Sequence, residues 1–276
     1  MYTCIKALGI ALGLAVFSSC KKDDQLVTPS HASLKTASIP PQEFSTSTAR
    51  INSAFRGYYA SVPGNYAKSG EKYPLLIFFH GLGQRGNGVA DLPKLGEYGI
   101  GKLLKDKQFP TSFTVKGKSH QFIVVAPQYH GDPTATEARS LVNYFQQNFR
   151  VDPARIYLAG LSAGGMLLSE LAASDPGKFA AIVPIAGVTK NSVETKTRAI
   201  ANASLPVWLF HNAEDDMVDA AISRSFFEAL TGFKPAVAPR LTIFNRTGHD
   251  AWTSALDPSY KENDLNIYEW MLQYSR

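Results

Sequence analysis

Cysteine is scarce in this 276-residue chain, which has only Cys4 and Cys20. Removal of the leader described below takes Cys4 away and leaves Cys20 without a partner, so no disulfide is expected in what remains. Charge is also sparse: Asp, Glu, Lys and Arg make up 18%, against roughly 25% in soluble domains. With 45% hydrophobic residues, that balance excludes disorder for the bulk of the chain. The formal net charge of +5 comes from dispersed Lys and Arg, with no basic block interleaved with aromatics, so nucleic acid is not an expected partner. Long apolar runs are missing too. Ala7 to Phe17, about eleven residues, is too short to span a bilayer. There is no internal repeat, no glycine fingerprint for phosphate, and no His, Cys or carboxylate cluster with metal-ligand spacing. Whatever the chemistry is, it is expected to need no metal and no cofactor.

What is present begins with that short run. It follows a thin positive region at Lys6 and ends in small residues, which is the pattern of a cleaved secretory leader, residues 1–19. Phe17-Ser-Ser-Cys20 resembles a bacterial lipoprotein cleavage site, although such sites usually carry Leu where Phe17 stands. The resemblance implies an exported protein, periplasmic or at the cell surface, held to a membrane by acyl chains on Cys20. Lys22-Asp23-Asp24 is similar to the acidic signal that sends some lipoproteins to the outer surface.

Residues 20–50 are rich in Ser, Thr, Pro and Lys without a period, and are expected to form a flexible tether. From 51 to 276, short apolar runs alternate with longer amphipathic stretches, the pattern of one α/β domain. Strands are expected over Leu75–Phe79, Phe122–Ala126, Ile156–Ala159, Ala181–Ile185, Val207–Phe210 and Leu241–Phe244. Their near-continuous apolar character suits parallel strands covered on both faces. Ile51–Val62 is expected to add antiparallel strands at one edge. Helices are expected over Leu92–Lys105, Thr134–Phe149, Ala163–Ser174, Ile222–Leu230 and Leu265–Tyr274, with Asp152-Pro153 breaking the second and Asp175-Pro176-Gly177 ending the third.

The chemistry is concentrated at a few strand ends. Gly160-Leu-Ser162-Ala-Gly164 falls between a strand and a helix, the setting in which G-x-S-x-G forms a nucleophile elbow. Ser162 is the candidate nucleophile. Acyl transfer builds an oxyanion, and the amide of Ala163 at the helix start is one candidate donor. The second is Leu82, in His80-Gly-Leu-Gly83 directly after the strand Leu75–Phe79. His249 follows the last strand and is the base by elimination among six histidines and by chain order. The acid follows Val207–Phe210, where Glu214, Asp215 and Asp216 all qualify. Trp252 and Gln128 are candidates to line the substrate cleft.

Tyr73–Gly86, Arg155–Gly165, Phe179–Gly187 and Gly248-His-Asp-Ala-Trp252 resemble the esterase branch of the α/β-hydrolases that includes feruloyl esterases, polyhydroxybutyrate depolymerases and predicted peptidases. The resemblance runs from about residue 55 to 274 and implies a mostly parallel sheet of about eight strands with helices on both faces. Its acid motif, H-G-x-x-D-x-x-V-P, matches His211, Asp215 and Val218, which selects Asp215. Asn212 and Asp219 stand in place of the usual Gly and Pro, and Gln84 replaces a Glu found in many relatives. The expected activity is hydrolysis of short-chain or aromatic esters, including esters on plant or microbial polysaccharides. A serine peptidase with the same triad, or a surface binding protein on the same scaffold, are the rivals.

Overall fold

The computed structural model describes residues 39–276. The leader, Cys20 and the first part of the expected tether lie outside the described residues. Among the described residues there are ten strands and seven helices, alternating over residues 123–247. The strands are β1 (Glu43–Arg50), β2 (Phe55–Val62), β3 (Tyr73–Phe79), β4 (Phe113–Val115), β5 (Lys118–His120), β6 (Ile123–Tyr129), β7 (Val151–Leu161), β8 (Ala181–Ile185), β9 (Trp208–Glu214) and β10 (Arg240–Thr247). The helices are α1 (Gly99–Lys105), α2 (Ala135–Asn148), α3 (Ala163–Ser174), α4 (Val193–Asn202), α5 (Ala221–Gly232), α6 (Trp252–Ala255) and α7 (Ile267–Met271).

Eight strands form one sheet in the order β1-β2-β6-β3-β7-β8-β9-β10. From β6 to β10 every pairing is parallel, while β1 and β2 run antiparallel at one edge. Alternate side chains feed two separate cores, as the two-residue period of a strand requires. Leu76 and Phe78 of β3 join Tyr157 and Ala159 of β7 on one face, under α1, α6 and α7. Leu75, Ile77 and Phe79 join Ile156 and Leu158 on the other, under α2, α3, α4 and α5. The chain leaves β3 toward β6 and leaves β7 toward β8, so the ends of these neighbours form the point where the winding reverses. Ligands of open α/β sheets bind at such a point.

Three local expectations are corrected. The sheet begins at Glu43, inside the stretch expected to be tether, because Phe44 packs edge-on against Tyr59, ring centroids 5.1 Å apart, and the following Ser and Thr residues suit an edge strand. Asp152-Pro153 does not end α2, which stops at Asn148; it sits in β7 where the register with β3 shifts between Tyr73 and Leu75. The stretch expected as one helix over Leu92–Lys105 is a 3-10 turn, Leu92–Gly96, followed by α1, whose first residue Gly99 has φ +68°.

Candidate active site

The candidate nucleophile stands on a backbone that its neighbours dictate. Ser162 has φ 51° and ψ −118°, outside the regions open to a relaxed L-residue. Such a conformation costs about 1–3 kcal/mol and persists only where the surroundings fix it. Here the Ser162 N–H donates to Ile185 O at 2.8 Å, and α3 starts at the next residue. The turn is tight enough that a Cβ on Gly164 would lie 2.1 Å from Phe79 O. Glycine is therefore required where β3, β7 and α3 meet.

Two other strand ends meet Ser162. His249 follows β10, and its Nε2 lies 2.9 Å from Ser162 Oγ, placed to accept the hydroxyl proton. Its Nδ1–H donates to Asp215 Oδ2 at 2.7 Å, from the loop after β9. The Asp215 side chain is fully buried, and Oδ1 accepts from Met217 N and Val218 N, both at 2.9 Å. Burial alone would push this carboxyl up. The hydrogen bonds from Val218 N, His249 and Met217 N outweigh it and hold Asp215 below the ordinary carboxylate value. Glu214 and Asp216, the chemically equivalent neighbours, are exposed.

The loop after β3 closes the site from the other side. Leu82 is 54% exposed at the start of a short 3-10 turn. The preceding Gly81 sits against the elbow, since a Cβ there would come 3.7 Å from that of Ser162. Ala163 opens α3, so its N–H has no acceptor within the helix and stands at the helix's positive end. His80 shapes this loop rather than meeting Ser162. Its Nδ1–H donates to Gly81 O at 2.7 Å, its Nε2 accepts from Tyr129 N at 3.1 Å, and its ring stacks on Tyr129 at 3.8 Å. Burial pushes its pKa down to about 3, so it stays neutral.

Trp252, at the start of α6, lies edge-on to the His249 ring at 5.2 Å. With Tyr98 and Leu103 it lines a cleft of about 570 Å³. The side chains of Ser162, His249 and Asp215 are not among its walls. The cleft reaches them through Asp250 and Trp252, on either flank of Ala251 and directly after His249. Sequence reasoning passed over Tyr98, 5.7 Å from Trp252, because a single aromatic in a polar stretch carries no local signal. Gln128 is the correction. It is wholly buried, donates to Gln84 O and Asp91 O at 2.9 and 2.8 Å, and accepts from Gly88 N at 2.9 Å. It pins the 84–91 loop instead of lining a substrate cleft. Gln84 has a comparable task, its amide donating to Lys94 O, Leu95 O and Tyr98 O at 3.0 to 3.2 Å. A carboxylate, which only accepts, could not do this.

Residues 128–261 match the family described as phospholipase/carboxylesterase, a span that contains the elbow, Asp215 and His249. A poly(3-hydroxyalkanoate) depolymerase of Paucimonas lemoignei is 28% identical over 150 residues, 46% of this chain and 34% of the depolymerase. A bifunctional acetylxylan esterase/xylanase of Neocallimastix patriciarum is 22% identical over 62% of this chain and 23% of its own length. The chain thus spans about a third and about a quarter of these curated relatives. Among solved structures, a thermostable esterase superposes with a TM-score of 0.58 at 21% identity, covering 86% of this chain and 64% of its own. A feruloyl esterase module from Clostridium thermocellum superposes at 0.55 and 15% identity, covering 80% and 86%. These likenesses establish the architecture: the chain has the α/β-hydrolase fold and, over residues 128–261, the pattern of the phospholipase/carboxylesterase family.

Proposed function

We propose that the chain is a serine esterase that hydrolyses carboxylic esters by two-step acyl transfer. The observation that carries this is the continuous hydrogen-bonded path from Ser162 Oγ through His249 to Asp215 Oδ2, presented on a strained strand-to-helix turn. Ser162 Oγ attacks the ester carbonyl as His249 Nε2 takes its proton. Asp215 holds the Nδ1–H tautomer and stabilises the imidazolium that forms. The amides of Leu82 and Ala163 receive the developing oxyanion, each worth roughly 3 kcal/mol in the transition state. The bond to the alkoxy oxygen then breaks as His249 returns the proton to the leaving alcohol. Water repeats the sequence on the acyl-enzyme and releases the acid.

Substrate class follows from what surrounds this path. His249 protonates the leaving group, so the alcohol sits on the His249 side, where the Trp252 and Tyr98 cleft lies. An aromatic-walled cleft of that size suits a bulky alcohol such as a sugar of a polysaccharide. The segments between β8 and β10 supply α4 and α5, whose Ile200 and Phe226 are buried in the core, which leaves little material for a large apolar lid. The acyl group is accordingly short, or aromatic and compact. That two similar proteins are an acetylxylan esterase and a feruloyl esterase module supports this reading. Acyl anchoring at Cys20 would hold the enzyme at a surface where polymers are met.

Purified protein is expected to hydrolyse acetate, butyrate or hydroxycinnamate esters with far higher kcat/KM than palmitate esters or anilides. Ser162→Ala should remove turnover and labelling by a fluorophosphonate while leaving the fold intact. Activity surviving that change would end the assignment, efficient anilide cleavage would favour a peptidase, and preference for long-chain triglyceride would overturn the substrate class.

A further inference from the structure

The last buried residues of β9, His211 and Asn212, touch neither Ser162 nor the cleft, yet His211 lies against Asp215 and Asn212 bonds to Gly248, the residue before His249. His211 Nε2 lies 3.1 Å from Asp215 Oδ2, the oxygen that also receives His249 Nδ1–H. The same Nε2 is 2.9 Å from Val218 O. A carbonyl only accepts, so the proton must be on Nε2 and is donated to Val218 O, while Asp215 Oδ2 faces the same N–H edge of the ring at 3.1 Å. Nδ1 is then the acceptor, and the Ser223 hydroxyl, 2.7 Å away at the start of α5, donates to it. Burial pushes His211 toward the neutral form, in keeping with this tautomer. With Met217 N and Val218 N on Oδ1, all of the Asp215 carboxylate's contacts come from groups of fixed direction. Rotation about its Cβ–Cγ bond would break four of them together.

Asn212 acts on the other partner. Its Nδ2 donates to Gly248 O at 2.8 Å, the peptide directly before His249, while Gly248 N donates to Glu214 O at 2.9 Å. Gly248 has φ +77°, so the chain turns sharply between these two ties. Asn212 is buried and its Oδ1 finds no hydrogen-bond partner among the described residues. Burying an amide oxygen unpaired is unfavourable. What the Asn212 side chain supplies at that position is its one donated bond, to Gly248 O.

We propose that His211 and Asn212 are positioning residues: the first fixes the plane of the Asp215 carboxylate, and the second staples the His249 loop to the strand that carries Asp215. The proposal rests on the triad reading above, and the two can fail separately.

The test compares His211→Gln, His211→Asn and Asn212→Ala with wild type. By bond count a Gln amide nitrogen reaches the place of Nε2, whereas an Asn amide reaches only that of Nδ1. Among variants whose circular dichroism and melting match wild type, His211→Asn and Asn212→Ala should lower kcat about tenfold to a hundredfold, with KM little changed. His211→Gln should recover most of the loss. The far-downfield proton of the His249 Nδ1–Asp215 bond should be visible by NMR in wild type and His211→Gln, and broadened or lost in the other two. Should the His211 variants not fold, Ser223→Ala keeps the imidazole and removes its support, and a smaller kcat loss of the same kind is expected. Wild-type kcat in Asn212→Ala and His211→Asn, equal damage from Gln and Asn, or an unchanged resonance would each overturn the proposal. The NMR arm needs no substrate, so it reads positioning even if wild type hydrolyses no ester.

Discussion

At the scale of single residues, chemistry alone left three adjacent carboxylates open, and burial separates them. Asp215 points inward to His249, while Asp216 is exposed one residue on. Asp215→Asn removes the charge that stabilises the imidazolium and is expected to lower kcat roughly a thousandfold or more. Asp216→Asn should leave it near wild type. Ester hydrolysis by the two purified variants measures the contrast directly, and the opposite order of damage would transfer the role to Asp216. The two glutamines show a different kind of selection. Gln84 and Gln128 lie at strand and loop ends where a polar side chain could have faced substrate, yet both are spent on backbone carbonyls of the 84–98 segment. Sequence marks such a residue as polar and well placed; only the packed loop reveals which groups it answers.

At the scale of elements, legibility followed the strength of local pattern. Ala181–Ile185 and Ala163–Ser174 coincide with the expected spans, because one is a buried run bounded by polar residues and the other lies between the elbow and Asp175-Pro176. β1 was hidden since an edge strand of Ser and Thr buries little and looks like a linker. α4 carried no expectation either: its charged residues mask Ile200 and Ala201, the positions that pack on the sheet. Ser162, Asp215 and His249 stood out as candidates because strand ends confine them, whereas His211 and Asn212 did not, since their contacts with Asp215, Val218, Ser223 and Gly248 form only once the loops after β9 and β10 are packed. The elbow offers a quantitative check. Gly164→Ala would place a methyl 2.1 Å from Phe79 O, backbone of a central strand that cannot give way. A loss of about 2 kcal/mol or more is expected in urea unfolding. Gly177→Ala, with nothing within 4 Å of its added Cβ, should leave the midpoint unchanged and serves as control. Equal midpoints for both would mean that the junction is looser than described.

At the scale of the whole molecule, several buried or half-buried groups are set against acid. His80 is held neutral down to about pH 3, and burial lowers His211 and His120 as well. In the unfolded chain these imidazoles take up protons near pH 6.5. Between that value and their folded values the unfolded state binds more protons, so stability falls as pH falls. Asp215, held below the usual carboxylate range, adds to the same trend at the acidic end of the window. The urea midpoint should thus be highest above about pH 6.5 and decline steadily toward about pH 4. A flat midpoint across that range would show that these groups are hydrated in the folded state. The sheet itself has a consequence for assembly. Because β3, β6 and β7 bury side chains on both faces, a slip of one residue would send each core the side chains shaped for the other. Two dissimilar packings inspect each of these strands, and only one alignment passes both. Ser162, Asp215, His249 and Leu82 sit just beyond strand ends, so that inspection also brings these four residues level with one another, before any ligand is there to require it.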